Sequence, residues 1–514
     1  MSVDSQLLEV THVNGYDPPA NRQGVSQQTP GSRPTWTWRI IPRIDQDPKC
    51  VAFVQRVPGN LLVFSAAVVL AVSSGSLGVN FLAAPLAVVV AYAEQHRRVL
   101  LPLATLLLLY QNGFWVDVGL VARVAEQERV ANQINQPLLY AATLVLVFLL
   151  CSGLLMFRHR IVAIPLFRRP TLCLLVLFSG LVLVAQSPVA EGMPRLLLWS
   201  FLMTFLPYIW FLAYALADIG GRERPPFWSH LGVFHPFWGA TLTPFGKGLS
   251  YLRKFEARTP EECAVTQLKG LKLAAWTLLL AGSLNCFSVI IHRYLEVPSF
   301  DEAFLHYVAG AAYPRHICWT SLLAYFAEDV LSMSVFGGTI VAIARLAGFR
   351  LLRNTWRPLE ATTLAEFWNR YYFYYKELLV DHFFYPTFLR CFRKHRRLRI
   401  FFATFSAACV GNLIFHFIRD IHFVADMGLW RAVAGEQSHA FYTFVLAVGV
   451  GLSQMRVGIG TVSKGWLRGR VLPCLWVVAF FCVLHIFDAP LDRDHSIWQR
   501  GQFLFYLLGV DAWT

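Results

Sequence analysis

The chain is poor in charge: only 15% of its 514 residues are Asp, Glu, Lys or Arg, where a soluble protein carries about 25%. That shortage argues against a protein whose whole surface faces water, and no soluble block is long enough to bury a core of its own. Paired cysteines are missing too. The ten stand apart, at Cys50, Cys151, Cys173, Cys263, Cys286, Cys318, Cys391, Cys409, Cys474 and Cys482. Their spacing indicates neither a disulfide framework nor a zinc site, and most lie in apolar segments where a free cysteine acts as a small hydrophobe. There is no glycine-rich phosphate loop and no dinucleotide fingerprint. Gly337-Gly338 in VFGGTIVAIARLAGF reads instead as small residues that let helices approach closely. No internal repeat of the transporter kind stands out. The start of the chain lacks the basic, apolar and small-residue sections of a secretory signal peptide, so the mature protein is expected to keep its N-terminus.

What the chain has in excess is apolar length. Hydrophobic residues make up 56% of it, and the mean hydropathy is +0.48. A helix needs roughly 20 apolar residues to cross a bilayer, and about ten to twelve such segments can be counted. They fall at 58–75, 77–94, 98–113, 137–157, 171–188, 195–217, 268–292, 317–345, 398–418, 439–455 and 471–487, with a short last one at 497–510. The expected fold is all-α, a polytopic membrane protein with re-entrant or interfacial helices besides its spans. Residues 1–56 form a polar arm rich in Gln, Pro, Gly and Ser, expected to be disordered and cytoplasmic; residues 57–514 form the membrane domain.

The net charge of +14 does not point to nucleic acid. The basic residues cluster beside apolar spans, in RHRIVAIPLFRR (158–169) and RCFRKHRRLR (390–399), as the positive-inside rule requires. Arg22, Arg33, Arg39, Arg43, Lys49 and Arg56 put the N-terminal arm on the same, cytoplasmic side.

Two regions do not read as simple spans. Residues 221–267 contain PPFW, FHPFWG and TPFGKG, a mixture that breaks helices yet stays apolar, so re-entrant or surface-lying pieces are expected. In 346–397, Trp356, Trp368 and the tyrosines Tyr371, Tyr372, Tyr374, Tyr375 and Tyr385 alternate with charged residues. Such a segment lies flat at the interface or dips into a protein-lined cavity. Beyond it comes GNLIFHF, with His416 alone in an apolar run; an ionisable group at that depth is a functional candidate by default.

The motifs in these regions carry a resemblance. In order they are Gly348-Phe349-Arg350, Asn354, Arg357-Pro358, Ala361-Thr362, Phe367-Trp368-Asn369-Arg370, then Asp381 and HFFYP ending at Pro386, then Asn412 and His416. This order resembles the membrane-bound O-acyltransferase family, most of all its bacterial branch that acetylates alginate and alanylates teichoic acid. Weaker similarity reaches upstream to FHPFWGATLTPFGKG (234–248). Three positions depart from the pattern. Tyr372 stands where prokaryotic members usually have His and eukaryotic ones Asn. Phe417 follows His416 where Gly is common. The Asp-containing motif upstream of GFR is replaced around Gly337-Gly338.

The resemblance implies a catalytic role for His416 and substrate-binding roles for Arg357, Trp368, Asn369, Arg370, Asp381 and Asn412; Tyr372, at a position that departs from the pattern, is taken as the second catalytic candidate. It also implies a thioester donor, acyl-CoA or an acyl carrier protein, reached from the cytoplasm. The reaction would move an acyl group, acetyl or another short one, to a hydroxyl of a glycan, lipid or secondary metabolite. No metal or tightly held cofactor is required. The expected partners are the bilayer, the donor, the acceptor and envelope-biosynthesis proteins, and the expected location is the bacterial inner membrane. The chemistry agrees on its own terms. Acyl transfer needs a base, a polarised carbonyl and exclusion of water, and an imidazole among Leu413, Ile414, Phe415 and Phe417 supplies the first and third. Tyr372 could donate to the carbonyl oxygen or serve only as an interfacial aromatic. Arg357, Arg370 and Lys376 could hold a carrier's phosphates or be ordinary positive-inside charge. Asp381 with His382, and His485 with Asp488, are weaker pairs. The alternative is a catalytically silent relative acting as transporter or scaffold in envelope-polymer assembly.

Overall fold

Long apolar runs with few breakers leave the backbone no partner but itself, and the chain answers with helices throughout. The computed structural model describes residues 41–74, 82–92, 96–111, 118–161, 169–219, 229, 230, 232, 236–239, 242–455, 465–489 and 494–510. Among them there is no strand, only one antiparallel bridge between Glu256 and Phe349. All ten cysteines are free.

Five helices are long and apolar enough to cross a membrane: Gln136–Phe157, Pro260–Tyr294, Arg315–Leu346, Arg396–Arg419 and Leu467–Phe487. Two bent pairs, Pro48–Val54 with Val57–Val72 and Met193–Phe205 with Ile209–Ile219, raise the number to seven if each is one span. Other apolar segments counted in the sequence form shorter helices, such as Ala83–Tyr92 and Pro170–Gln186. The end of the polar arm is helical from Pro48 to Val54, with Asp47 as its N-cap. It is docked by Asp45, whose carboxylate accepts from Lys272. Residues 1–40 lie outside the described set.

The helices differ in how much of themselves they turn outward. In Pro260–Tyr294 only 11% of the most apolar window is buried, whereas in Arg315–Leu346 the figure is 56%. The first is peripheral and the second central. Thr259 caps the former by accepting from Glu262 N, and Pro260 follows at its first position. The two helices pack tightly because Gly338 has no side chain: a Cβ there would sit 2.4 Å from Thr277 Cγ2. Its neighbour Gly337 makes room for Asn354, whose Nδ2 would lie 2.4 Å from a Cβ. Close packing at this glycine pair is what the sequence suggested.

Gly348 ends the central helix at φ +88°, as a C-terminal glycine can. The chain then runs beside Phe255–Ala257, with Arg350 N donating to Phe255 O at 2.7 Å and Ala257 N to Gly348 O at 2.9 Å. Arg97, 2% exposed, clamps this corner. It pairs with Glu256 at 3.1 Å and donates to the carbonyls of Ala91 and Ala257.

The aromatic stretch after Arg357 packs into the protein. Leu364–Tyr371, Phe373–Leu379, a wide π turn at Val380–Phe384 and Tyr385–Arg390 run into the protein. Tyr375, Leu378, Leu379, Phe383, Phe384 and Phe388 join one apolar core there with Trp199, Trp210 and Phe415. Tyr372 packs against this core and a second one built on residues 340–351; Trp368 packs against it and a third, C-terminal one. The segment is the wedge on which all three close. A second π turn, Ser406–Gly411, precedes the Asn412–Arg419 helix. Gly411 lets the wedge pass it, because a Cβ would fall 2.6 Å from Phe383 Cδ2.

Adding a branched side chain at this helix contact tests the packing. Gly338→Val should lower stability by about 1–3 kcal/mol, read as a fall in Tm of the detergent-solubilised protein. An unchanged Tm would mean that the two helices do not meet there.

Candidate functional site

The Asn412–Arg419 helix places Asn412 and His416 one turn apart on one face. Asn412 is 2% exposed, and its Oδ1 accepts from the Tyr375 hydroxyl at 2.6 Å. Tyr375 also meets His416 edge-on, with ring centroids 6.2 Å apart. His416 is half-buried, and its Nδ1 is enclosed without a hydrogen-bond partner. Across from it lies His439, the third residue of the Gln437–Met455 helix, at a centroid distance of 4.4 Å. His439 is fully buried. Its Nδ1 is 3.3 Å from Asp488 Oδ1, within ion-pair range but out of line for a hydrogen bond. Arg419 forms a bidentate pair with Asp420, at 2.9 and 2.7 Å.

A second polar group adjoins this one. Asp329, midway along the central helix, accepts from the Tyr371 hydroxyl and lies 3.3 Å from His485 Nε2. His485 Nδ1 is 2.7 Å from Phe481 O. His485 and Asp488 therefore do not act as a pair on one helix face. The helix tightens to 3₁₀ at His485–Phe487 and stops, so the two turn to different partners, Asp329 and His439.

The third group sits at the wedge. Lys247 reaches Glu377 Oε2 at 2.7 Å and Asp381 Oδ2 at 2.8 Å, and the Tyr214 hydroxyl donates to Asp381 at 2.8 Å. Lys376 also binds Glu377. Burial raises the Glu377 carboxyl, but Lys376 and Lys247 outweigh it and hold the group down at about 2. His382 turns away from its neighbour and bonds Thr171 Oγ1 through Nδ1 at 2.7 Å.

The residues expected from the sequence thus divide. Asn412 and His416 come together. Tyr372 does not reach His416 first: it touches Tyr375 at 5.4 Å, and Tyr375 stands next to the imidazole. Trp368 is half-buried, 6.2 Å from the Tyr375 ring. Asn369 is exposed. Arg370 is held by Glu366 and by Arg357 O. Asp381 is consumed by Lys247 and Tyr214. Arg357 is exposed, with φ +47°, beside Glu360 at 3.3 Å and over the Trp356 ring. Sequence reasoning passed over His439, Asp329 and Lys247. Asp329 had a signal, a carboxylate in the middle of an apolar span. His439 stands at the edge of its span, where a histidine looks ordinary. Among the described residues, no group of three or more His, Cys, Asp or Glu is placed to hold a metal ion.

No family model matches the chain, and no curated protein matches it either.

The wedge network gives a test of stability. Removing one of its two cations in Lys247→Met leaves Asp381 without an ion-pair partner and Glu377 with Lys376 alone, and should cost up to about 3 kcal/mol at neutral pH. Glu377 lies below its ordinary 4.5 in the folded state, so its contribution is complete above 4.5 and disappears as the pH falls toward 2. Tm measured across that range should fall less steeply in the variant than in the parent chain. Equal slopes would remove Lys247 from the account.

Proposed function

We propose that the chain is a membrane-embedded O-acyltransferase that moves a short acyl group, acetyl or similar, from a thioester donor to a hydroxyl of a glycan, lipid or secondary metabolite. The observation that carries the reading is His416: an imidazole among apolar helices, half-accessible, with Asn412 and Tyr375 fixed beside it and its own Nδ1 enclosed without a partner. An imidazole that is not consumed by structure is free to accept the acceptor's hydroxyl proton. The surrounding apolar cores keep bulk water from the thioester. The order of motifs resembling membrane-bound O-acyltransferases, from Gly348 to His416, supports the same chemistry.

The assignment of the polarising group shifts with the geometry. Tyr375 is nearer to His416 than Tyr372 is, so Tyr372 is read as a support that backs Tyr375. Arg357, exposed at the entry to the wedge, is the one basic residue of the expected set with room for a carrier's phosphates. Arg370, Trp368, Asn369 and Asp381 are read as parts of the wall. The donor is acyl-CoA or an acyl carrier protein, and no further cofactor is needed.

We place the protein in a bacterial inner membrane with its N-terminus in the cytoplasm, on the strength of the basic clusters beside its spans. Ten to twelve crossings would require the shorter apolar helices to cross as well. A cysteine placed at exposed Lys394 should then be labelled only when the cytoplasmic face is open to an impermeant reagent. Labelling from outside would reverse the orientation.

A catalytically silent transporter or scaffold is the second reading, favoured by the position of Tyr372 behind Tyr375. His416→Ala separates the two. It should lower transfer on the order of 100- to 10,000-fold while the protein still inserts, with the acyl product followed by mass spectrometry of lipids, glycans and small metabolites from expressing cells. Full transfer by a folded His416→Ala protein would end the catalytic reading.

A further inference from the structure

Two adjacent rings in this site carry enclosed nitrogens without hydrogen-bond partners, Nδ1 of His416 and Nε2 of His439, and their centroids are 4.4 Å apart. An enclosed polar atom left unpaired destabilises the fold, and two on adjacent rings offer each other the remedy. On its far side His439 meets Asp488 Oδ1 at 3.3 Å, and the Tyr442 ring stacks on it at 5.4 Å and 16°, which fixes its plane. Beside His416, Arg419 is bound by Asp420 and the Tyr375 hydroxyl by Asn412, while Arg419 and His485 also lie within electrostatic reach of Asp488. His439 and Asp488 lie outside every motif that drew attention to His416.

We propose that Asp488, His439 and His416 form one relay, in which His439 and Asp488 are positioning residues that select the tautomer of His416. Asp488 accepts from Nδ1–H of His439, which leaves Nε2 of His439 as an acceptor. His416 donates its Nδ1–H there, and its Nε2 is left bare to act as the base. The inference rests on the reading of His416 given above and extends it. During transfer the acceptor's O–H bond breaks, its proton goes to Nε2 of His416, and the oxygen bonds to the thioester carbonyl carbon. The C–S bond then breaks, and the leaving thiolate takes that proton back from Nε2. His439 gains no proton in either step. It holds the imidazolium through the shared hydrogen bond, as the oriented base of a catalytic triad is held by its third member.

The test uses the full chain in lipid nanodiscs with 15N-labelled histidine, the His416 signals being assigned by their loss in His416→Gln. The parent protein should show His416 protonated on Nδ1. His439→Phe keeps a ring against Tyr442 but removes the acceptor, and Asp488→Leu removes the group that orders His439. Each should move His416 toward the Nε2–H form, and each should slow transfer on the order of 100-fold or more with the KM for the thioester little changed. Using two variants guards against the failure of one to fold. If His416 is already Nε2–H in the parent, or keeps its parent tautomer in both folded variants, the relay is wrong. The spectra need no turnover, so a parent protein that transfers nothing would sink the acyltransferase reading alone and leave the relay to be judged by tautomer.

Discussion

An ionisable side chain surrounded by apolar helices must find its partner inside the protein, and this constraint organises the structure. Lipid offers no hydrogen bonds, and an unpaired charge at depth is expensive. The chain meets the constraint by turning a segment that does not span into its interior. The wedge from Leu364 to Arg390 carries Glu366, Arg370, Glu377 and Asp381 inward, and each arrives at a partner: Glu366 and Arg370 at each other, Glu377 and Asp381 at Lys247. Lys247 comes from the TPFGKG turn, where Gly246 at φ +97° permits a turn that other residues resist. The TPFGKG turn thus delivers a cation to the wedge.

The same wedge explains the irregular helices. A regular α-helix presents a side chain every 100°, and two helices crossing at close range leave little freedom to choose which residues meet. The π turns at Val380–Phe384 and Ser406–Gly411 each admit an extra residue, a device often found near functional sites. The second of them ends where Asn412 begins, so it sets the face on which Asn412 and His416 appear. Gly411, at the crossing with Phe383, keeps the two π turns in contact. The angular position of the candidate base thus depends on packing several residues before it.

Much of this was legible in the sequence, and what was not has physical causes. Low charge and long apolar runs fix an all-helical membrane protein. The resistance of 346–397 to a spanning assignment was visible in its alternation of aromatic and charged residues, although the choice between lying flat and dipping inward depended on contacts from Trp199, Trp210 and Phe415 that are far away in the chain. His416 stood out because one polar residue in an apolar run has no local reason to be there. Asp329 met the same criterion and was absorbed into its span, since the window averages over it. The partners of His485 and Asp488 were misjudged because spacing by three implies a shared face only while the helix continues, and it tightens and ends within that interval. His439 had no sequence signal, because its burial comes entirely from other helices.

The histidines around the site differ in how far their ring nitrogens are partnered. His485 has both nitrogens engaged, by Asp329 and by Phe481 O. His382 has one, through Thr171. His439 has only the misaligned approach of Asp488, and His416 has an enclosed Nδ1 with nothing. A purely structural imidazole is stabilised by the hydrogen bonds it makes, so His485 is accounted for by architecture and His416 is not. The progression also runs in space, since His439 is the ring that touches His416. This unsatisfied pair of imidazoles is shared between two helices. His230 and His382 also carry enclosed ring nitrogens without a hydrogen-bond partner, but His416 and His439 lie ring against ring, and that contact leaves a place where a proton can be taken up without breaking a bond the fold relies on.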